Sequence, residues 1–233
     1  MQVANNFNPK ALPLLPFQSG LRDTFRNLDS FRTLTFSVFC NRNLHAAKSF
    51  VPIVCAIVLL ATSGAAAQLK AIDLSGNRID LAQAAHGNIN VLIFVRTDCP
   101  ISNRYAPTLQ RLRGQYAEKA TFWLVYSDKT ESPELIKRYL RDYNYTQIAA
   151  VRDPEHVLVK LAHAQITPEA AVFDANSHLL YRGRIDNWYQ SFGHARPRPT
   201  THELEDAIQA AVAGKRIAVP ETQAIGCFIS DLQ

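Results

Sequence analysis

Of the four cysteines in this 233-residue chain, Cys99 stands where a thiol becomes reactive. It follows the apolar run Asn90-Val91-Leu92-Ile93-Phe94-Val95 and directly precedes Pro100. Proline suits the first position of a helix, so Cys99 is expected at a helix N-terminus. Unpaired backbone N–H groups and the positive end of the helix dipole favour the thiolate there, and the thiolate is the nucleophile. Arg96 and Arg104 add positive charge, whereas Asp98 opposes ionisation. The bland alternative is a structural cysteine in a core. A second feature is Thr167-Pro168, set just before the apolar stretch Ala170–Phe173. On spacing alone it reads as an ordinary trans bond, since only about 5–6% of X-Pro bonds in folded proteins are cis. The third is Cys227, whose neighbours Phe228 and Ile229 predict a C-terminal tail docked on an apolar groove.

Metal chemistry has weaker support. His156, His163, His178, His194 and His202 are scattered, none in paired ligand spacing with a cysteine. A copper-type Cys-x-x-x-Cys is ruled out by Asn103. No metal and no other cofactor is expected.

The elements that must hold these residues alternate in type. Leu69–Leu74 and Arg78–Leu81 read as a hairpin about Ser75-Gly76-Asn77. Asn90–Val95 is an uninterrupted apolar strand of the kind buried on both faces of a sheet. Ile101, Tyr105, Leu109, Leu112 and Tyr116 recur at helical spacing, which predicts one helix over 101–118. Thr121–Tyr126 is another buried strand. Ser132-Pro133-Glu134 opens a helix to about Tyr143, and Ile148–Val151 is a short strand. Asp153-Pro154-Glu155 starts a helix to about Ala162. Ala170–Phe173 and Leu179–Tyr181 form a hairpin, and Thr201–Ala213 is a last amphipathic helix after the stiff Arg196-Pro197-Arg198-Pro199 linker. Asp186-Asn187-Trp188-Tyr189 either lines a rim near the Thr-Pro loop or packs ordinarily, with packing the default. This order of elements argues for an α/β sandwich with a mixed central sheet.

Composition narrows the function classes. Hydrophobic residues make up 47% and charged residues 19%, as in a globular domain rather than a disordered chain. Four cysteines are too few for a disulfide-built miniprotein. The net charge of +5 belongs mostly to residues 1–67, which hold six basic and two acidic side chains. Residues 68–233 are nearly neutral, so no nucleic-acid footprint is indicated. Phe50–Ala61 is an uncharged apolar run with Arg42 and Lys48 before it and Ala65-Ala66-Ala67 after it. This predicts a signal peptide over 49–67, with cleavage after Ala67; a single membrane anchor is the alternative. Residues 1–48 are then an extension, mis-assigned or disordered, 68–219 the main domain, and 220–233 a tail. Cleavage removes Cys40 and Cys55, leaving Cys99 and Cys227 in an oxidising compartment, a natural disulfide candidate.

Cys-Pro-Ile-Ser-Asn-Arg-Tyr-Ala-Pro, residues 99–107, resembles the active-site helix of the thioredoxin superfamily. Pro107 matches the proline that kinks that helix, and Ile166-Thr167-Pro168 resembles the family's cis-proline loop, which faces the reactive cysteine. With the leading hairpin, Arg182-Gly183-Arg184-Ile185-Asp186 and the Gly226–Ile229 ending, the chain is similar to the redoxin branch, the alkyl hydroperoxide reductase/thiol-specific antioxidant group. The resemblance spans about residues 69–229. It implies a thioredoxin-like fold, an N-terminal hairpin, and a cis Thr167–Pro168 bond whose backbone groups stay free to pair with an extended substrate. Two departures bear on activity. Ser102 stands where a Cys-x-x-Cys motif has its second cysteine, and Arg96 stands where peroxiredoxins carry threonine.

The resulting expectation is an exported thiol redox protein, periplasmic or otherwise extracytoplasmic, with Cys99 attacking a disulfide or a peroxide. A peroxiredoxin-like antioxidant peroxidase is the first alternative. A non-catalytic redoxin module that binds a partner, haem protein or metal is the second. Ser102 can donate to the thiolate but cannot resolve a mixed disulfide, so Cys227 or an external thiol must. Thr167, Pro168, Arg96 and Arg104 are expected to meet the substrate. The partner is a thiol, a disulfide or a peroxide, with a membrane involved only if the leader stays uncleaved.

Overall fold

A computed structural model describes residues 68–230, so the expected leader (49–67) and N-terminal extension lie outside the described residues. The chain opens with β1 (Lys70–Asp73) and β2 (Arg78–Asp80), an antiparallel hairpin closed by Asp73, whose carboxylate accepts from the Ser75 and Asn77 N–H groups. A short helix α1 (Leu81–Ala84) follows where the sequence reading continued the strand to Leu81. Asp80 ends the strand because its side chain caps the Ala82 and Gln83 N–H groups. Then come β3 (Ile89–Val95), α2 (Pro100–Arg104), α3 (Ala106–Tyr116), β4 (Ala120–Tyr126), α4 (Pro133–Asp142), β5 (Ala149–Arg152) and α5 (Val157–Ala162). The chain closes with β6 (Ile166–Thr167), β7 (Glu169–Phe173), β8 (Leu179–Gly183), β9 (Tyr189–Ser191), β10 (His194–Ala195), α6 (Glu203–Val212) and β11 (Cys227–Phe228).

Seven strands form a mixed sheet in the order β2-β1-β5-β4-β3-β7-β8. β3, β4 and β5 run parallel, while β7, β8 and β1 are antiparallel to their neighbours. All seven residues of β3 are buried, as its unbroken apolar run predicts for the sheet centre. Alternate side chains divide between two cores. Val91, Ile93 and Val95 pack with Leu109 of α3, Ile136 of α4 and Leu204 of α6. Leu92 and Phe94 pack with Leu81 of α1 and Leu158 of α5. β3 therefore delivers the chain, held from both faces, to the loop that carries Cys99.

Three other boundaries differ from the sequence reading. The single helix over 101–118 is two helices, α2 and α3, meeting at Tyr105. Pro107 has no N–H to continue the ladder across the joint, an effect the periodicity of apolar residues does not register. The helix placed at Asp153 begins at Val157, because the Asp153 carboxylate caps it from four residues upstream, accepting from the Val157 and Val159 N–H groups. The stretch before α6 is not simply a linker: β9 and β10 form a hairpin, and Arg196 is tied to Trp188 through N–H···O bonds in both directions.

The tail after α6 is strapped to the body. Arg182 N–H donates to the Pro220 carbonyl, and Thr222 N–H returns a bond to the Arg182 carbonyl. Farther on, β11 pairs antiparallel with β6, with Cys227 opposite Thr167 and Phe228 opposite Ile166. Ile229 N–H then bonds the Gln165 carbonyl, and its side chain is buried in the α5-side core.

Candidate active site

Cys99 sits at the N-cap of α2 with extended backbone, directly after the β3 loop. The loop is fixed by Glu131, a buried carboxylate that accepts the Thr97 N–H at 2.7 Å. Burial pushes the Glu131 carboxyl up, and the Thr97 N–H works against that shift. The Cys99 side chain has no solvent exposure. Its sulfur donates to the Thr167 carbonyl at 3.1 Å, and the Cys227 sulfur donates to the Cys99 sulfur at 2.9 Å. Both cysteines are free thiols. The Thr167–Pro168 bond is cis, in agreement with the expectation from the resemblance.

Thr167 is the common anchor of the two sulfurs. Its carbonyl receives Cys99, its hydroxyl donates to the Cys227 carbonyl at 3.3 Å, and it is the ladder partner of Cys227. Gly226 makes this approach possible. A Cβ at that position would overlap the Thr167 carbonyl oxygen. Gly226 is the site residue the sequence reading passed over, since its requirement comes from a backbone 59 positions away and leaves no local signal.

The two thiols differ in acidity. Burial raises the Cys99 thiol, but the Cys227 thiol and the Ser102 hydroxyl and N–H together outweigh it, and the balance lies below the ordinary cysteine value. Ser102 Oγ is buried and has no other hydrogen-bond partner, so its hydroxyl is free to donate to the thiolate. Cys227 is pushed up to about 12, by burial first and then by its bond to Cys99 and the charge there. The first proton to leave comes from Cys99, and Cys227 stays protonated as the donor to it.

Both arginines are engaged by other side chains. Arg96 pairs with Asp98 at 2.9 Å and with Asp128 at 3.4 Å. Arg104 donates to the Tyr189 hydroxyl and lies 5.0 Å from the Trp188 ring centroid. The acidity of Cys99 therefore rests on Cys227 and Ser102, whose N–H is one of the helix N-terminal donors expected from the sequence, and not on the arginines that were expected to add to it. Arg104 instead helps build an aromatic wall. Tyr105 meets Trp188 edge to face at 5.6 Å and donates to the Asp186 carboxylate at 2.6 Å. Pro168, Tyr105, Asp186 and Tyr189 line one small cavity, so the Asp186–Tyr189 stretch both packs and reaches the Thr-Pro loop.

The edge of β6 is the largest departure from expectation. The backbone of Thr167, anticipated to be free for a substrate, is paired with the chain's own tail. Beyond the tail lies an open groove of about 1100 Å³, lined by Ile166, Phe192, Ile225, Cys227 and Phe228 among others. It reaches the half-buried Cys227 and not Cys99. Phe228 is 78% exposed on its flank, whereas Ile229 is buried. Strand alternation explains the split, because Cys227 and Ile229 face inward and Phe228 faces out. Among the described residues no cluster of His, Cys, Asp and Glu is placed to hold a metal ion.

No family model matches the sequence, and no curated protein matches it. Solved structures do. A hypothetical protein from Sinorhizobium meliloti 1021 is 24% identical with a TM-score of 0.59, covering 70% of this chain and 91% of its own. An uncharacterized conserved protein from Geobacillus kaustophilus is 22% identical with a TM-score of 0.59, covering 70% and 88%. The mixed sheet, the cysteine at the β3–α2 junction and the cis Thr167–Pro168 loop against it make the fold thioredoxin-like. A disulfide oxidoreductase homologue secreted by Mycobacterium tuberculosis is 20% identical at a TM-score of 0.44, covering 65% of this chain and 99% of that one. Within the thioredoxin-like frame, Cys99 holds the strand-to-helix position and Thr167-Pro168 the facing loop. Ser102 stands where a Cys-x-x-Cys motif has its second cysteine, and the sulfur beside Cys99 is that of Cys227 in the tail.

Proposed function

We propose that the chain is an exported thiol redox protein whose working couple is Cys99 and Cys227. The observation that carries this reading is the pair of sulfurs 2.9 Å apart, one an acidic thiol and the other its donor. In the oxidative direction the Cys99 thiolate attacks a disulfide, a mixed disulfide forms, and one thiolate leaves. Cys227 then loses its proton and attacks the Cys99 sulfur, expelling the second thiolate and closing the Cys99–Cys227 bond. With a peroxide, Cys99 attacks oxygen, the O–O bond breaks, and the leaving alkoxide takes a proton. Cys227 next displaces hydroxide from the sulfenic acid to give the same disulfide. Complete burial of Cys99 favours the second reading to the extent that a two-oxygen oxidant is the smaller visitor.

Oxidised protein carrying Cys40→Ser and Cys55→Ser, digested without reductant, is expected to yield one peptide pair joined through Cys99 and Cys227. Separate peptides and unchanged turnover in Cys227→Ser would assign resolution to an external thiol. Peroxide consumption against disulfide reduction, each with and without a dithiol, separates the two chemistries; neither activity would leave a binding module. Export is read from Phe50–Ala67, and among the described residues no helix is long and apolar enough to cross a membrane. N-terminal sequencing of the exported form is expected to begin at Gln68; retention of residues before Ser49 would overturn cleavage.

A further inference from the structure

We propose that Gly226 is a specificity-determining position: by seating the tail strand on Thr167 it restricts Cys99 to small oxidants and excludes disulfides held within a polypeptide. The inference rests on the redox reading above and names the size class that the site admits.

An extended chain approaching Cys99 at Thr167 would need the free edge of β6. That edge is occupied by Cys227 and Phe228, in register with Thr167 and Ile166. The occupant is held at both ends. Upstream, Thr222 presses on Gly183, whose φ of +141° and lack of a Cβ permit the contact. Downstream, Ile229 is buried beneath α5 and bonded to Gln165. Between them Gly226 lies against the Thr167 carbonyl with no space for a methyl group. With the strand in place Cys99 has no exposed surface, and the groove outside opens on Cys227 instead. A polypeptide disulfide must displace the strand before its sulfur can line up with Cys99, whereas a small oxidant needs only local breathing around the sulfurs. Gly226 touches neither substrate nor the reacting atoms, so it is a positioning residue that acts through the strand.

The test compares single-turnover oxidation of Cys99 by two probes, oxidised glutathione and a disulfide-linked pair of peptides of about twenty residues. The protein is the full chain with Cys40→Ser and Cys55→Ser, so that only the two site thiols remain. Taking the ratio of the two rates cancels any change in Cys99 acidity. The parent is expected to favour glutathione by at least tenfold. Gly226→Ala and Ile229→Asp, which keep both cysteines, are expected to collapse that preference to below threefold. Amide hydrogen exchange at Cys227–Ile229 reports the release of the strand independently. A parent that already prefers the peptide pair overturns the proposal. So does a released strand with an unchanged ratio, or a Gly226→Ala strand that stays protected. Failure of Cys99 to react with either probe or with hydrogen peroxide removes the redox reading itself, a result distinct from these.

Discussion

Replacing Cys227 with alanine is expected to raise the Cys99 thiol pKa, because the thiolate loses a hydrogen bond worth about 1.5 kcal/mol. Three contributions set the acidity of Cys99: burial, which raises it, and the Cys227 thiol and Ser102 donors, which lower it. The Cys227 bond spans 2.9 Å and is the largest of the lowering contributions. A hydrogen bond to a charged group is worth roughly 1.5–3 kcal/mol, and a sulfur donor belongs at the low end. An opposing effect is the water admitted when the thiol is deleted. Alanine keeps the strand pairing, Gly226 and the Ile229 anchor, so most of the burial survives and the lost donor dominates. With Cys40 and Cys55 changed to serine, Cys99 is the sole thiol in the variant. Thiolate absorbance near the ultraviolet edge then gives its titration directly. A midpoint at or below that of Cys99 in the parent would refute the reasoning, because it would show that desolvation by the tail outweighs the bond.

Ser102→Ala is expected to raise the same pKa by less than Cys227→Ala does, while non-reducing digestion still finds Cys99 joined to Cys227; an equal or larger rise would make Ser102 the principal donor. Asp153 provides the pH test of stability. Burial lifts its carboxyl from 3.8 to about 6 against the N–H groups of Val157 and Val159. A carboxyl raised on folding contributes stability that is complete below its unfolded value and is lost as pH rises through about 6. The span is roughly 3 kcal/mol at most. Denaturant titrations at pH 4.5 and 7 should show Asp153→Asn gaining on the parent by about 2 kcal/mol toward pH 7; a constant difference would show that the carboxyl titrates alike in both states.

What could be read in advance was what local chemistry dictates. The apolar run to Val95 announces a central strand, and the Cys99-Pro100 pair announces a helix start, because both depend on neighbours in sequence. The cis bond at Thr167–Pro168 came only through resemblance, since spacing favoured trans. The destinations of Arg96 and Arg104 were only partly legible: Asp98, two residues on, holds Arg96 at 2.9 Å, but Asp128 and Tyr189, which also engage the two arginines, lie far along the chain. The tail was half legible. Two apolar residues after Cys227 pointed to docking, but only the strand register decides that Ile229 is buried and Phe228 exposed. Gly226 was silent because its constraint is a carbonyl on another strand.

The two glycine contacts turn the tail into a ruler. Thr222 is clamped at Gly183 and Gly226 at Thr167, and only Gln223, Ala224 and Ile225 lie between the clamps. An extended chain advances about 3.4 Å per residue and reverses the direction of its side chain at each step. Deleting one of those three residues would shift the tail by one position and turn it over. The Phe228 ring would then point toward Cys99, and the Cys227 side chain would fall in the place of Gly226, where not even a Cβ fits, and lift the strand away. Length in this segment is therefore under tighter constraint than composition: Gln223 can change its chemistry freely, but its place in the count sets whether the second sulfur arrives.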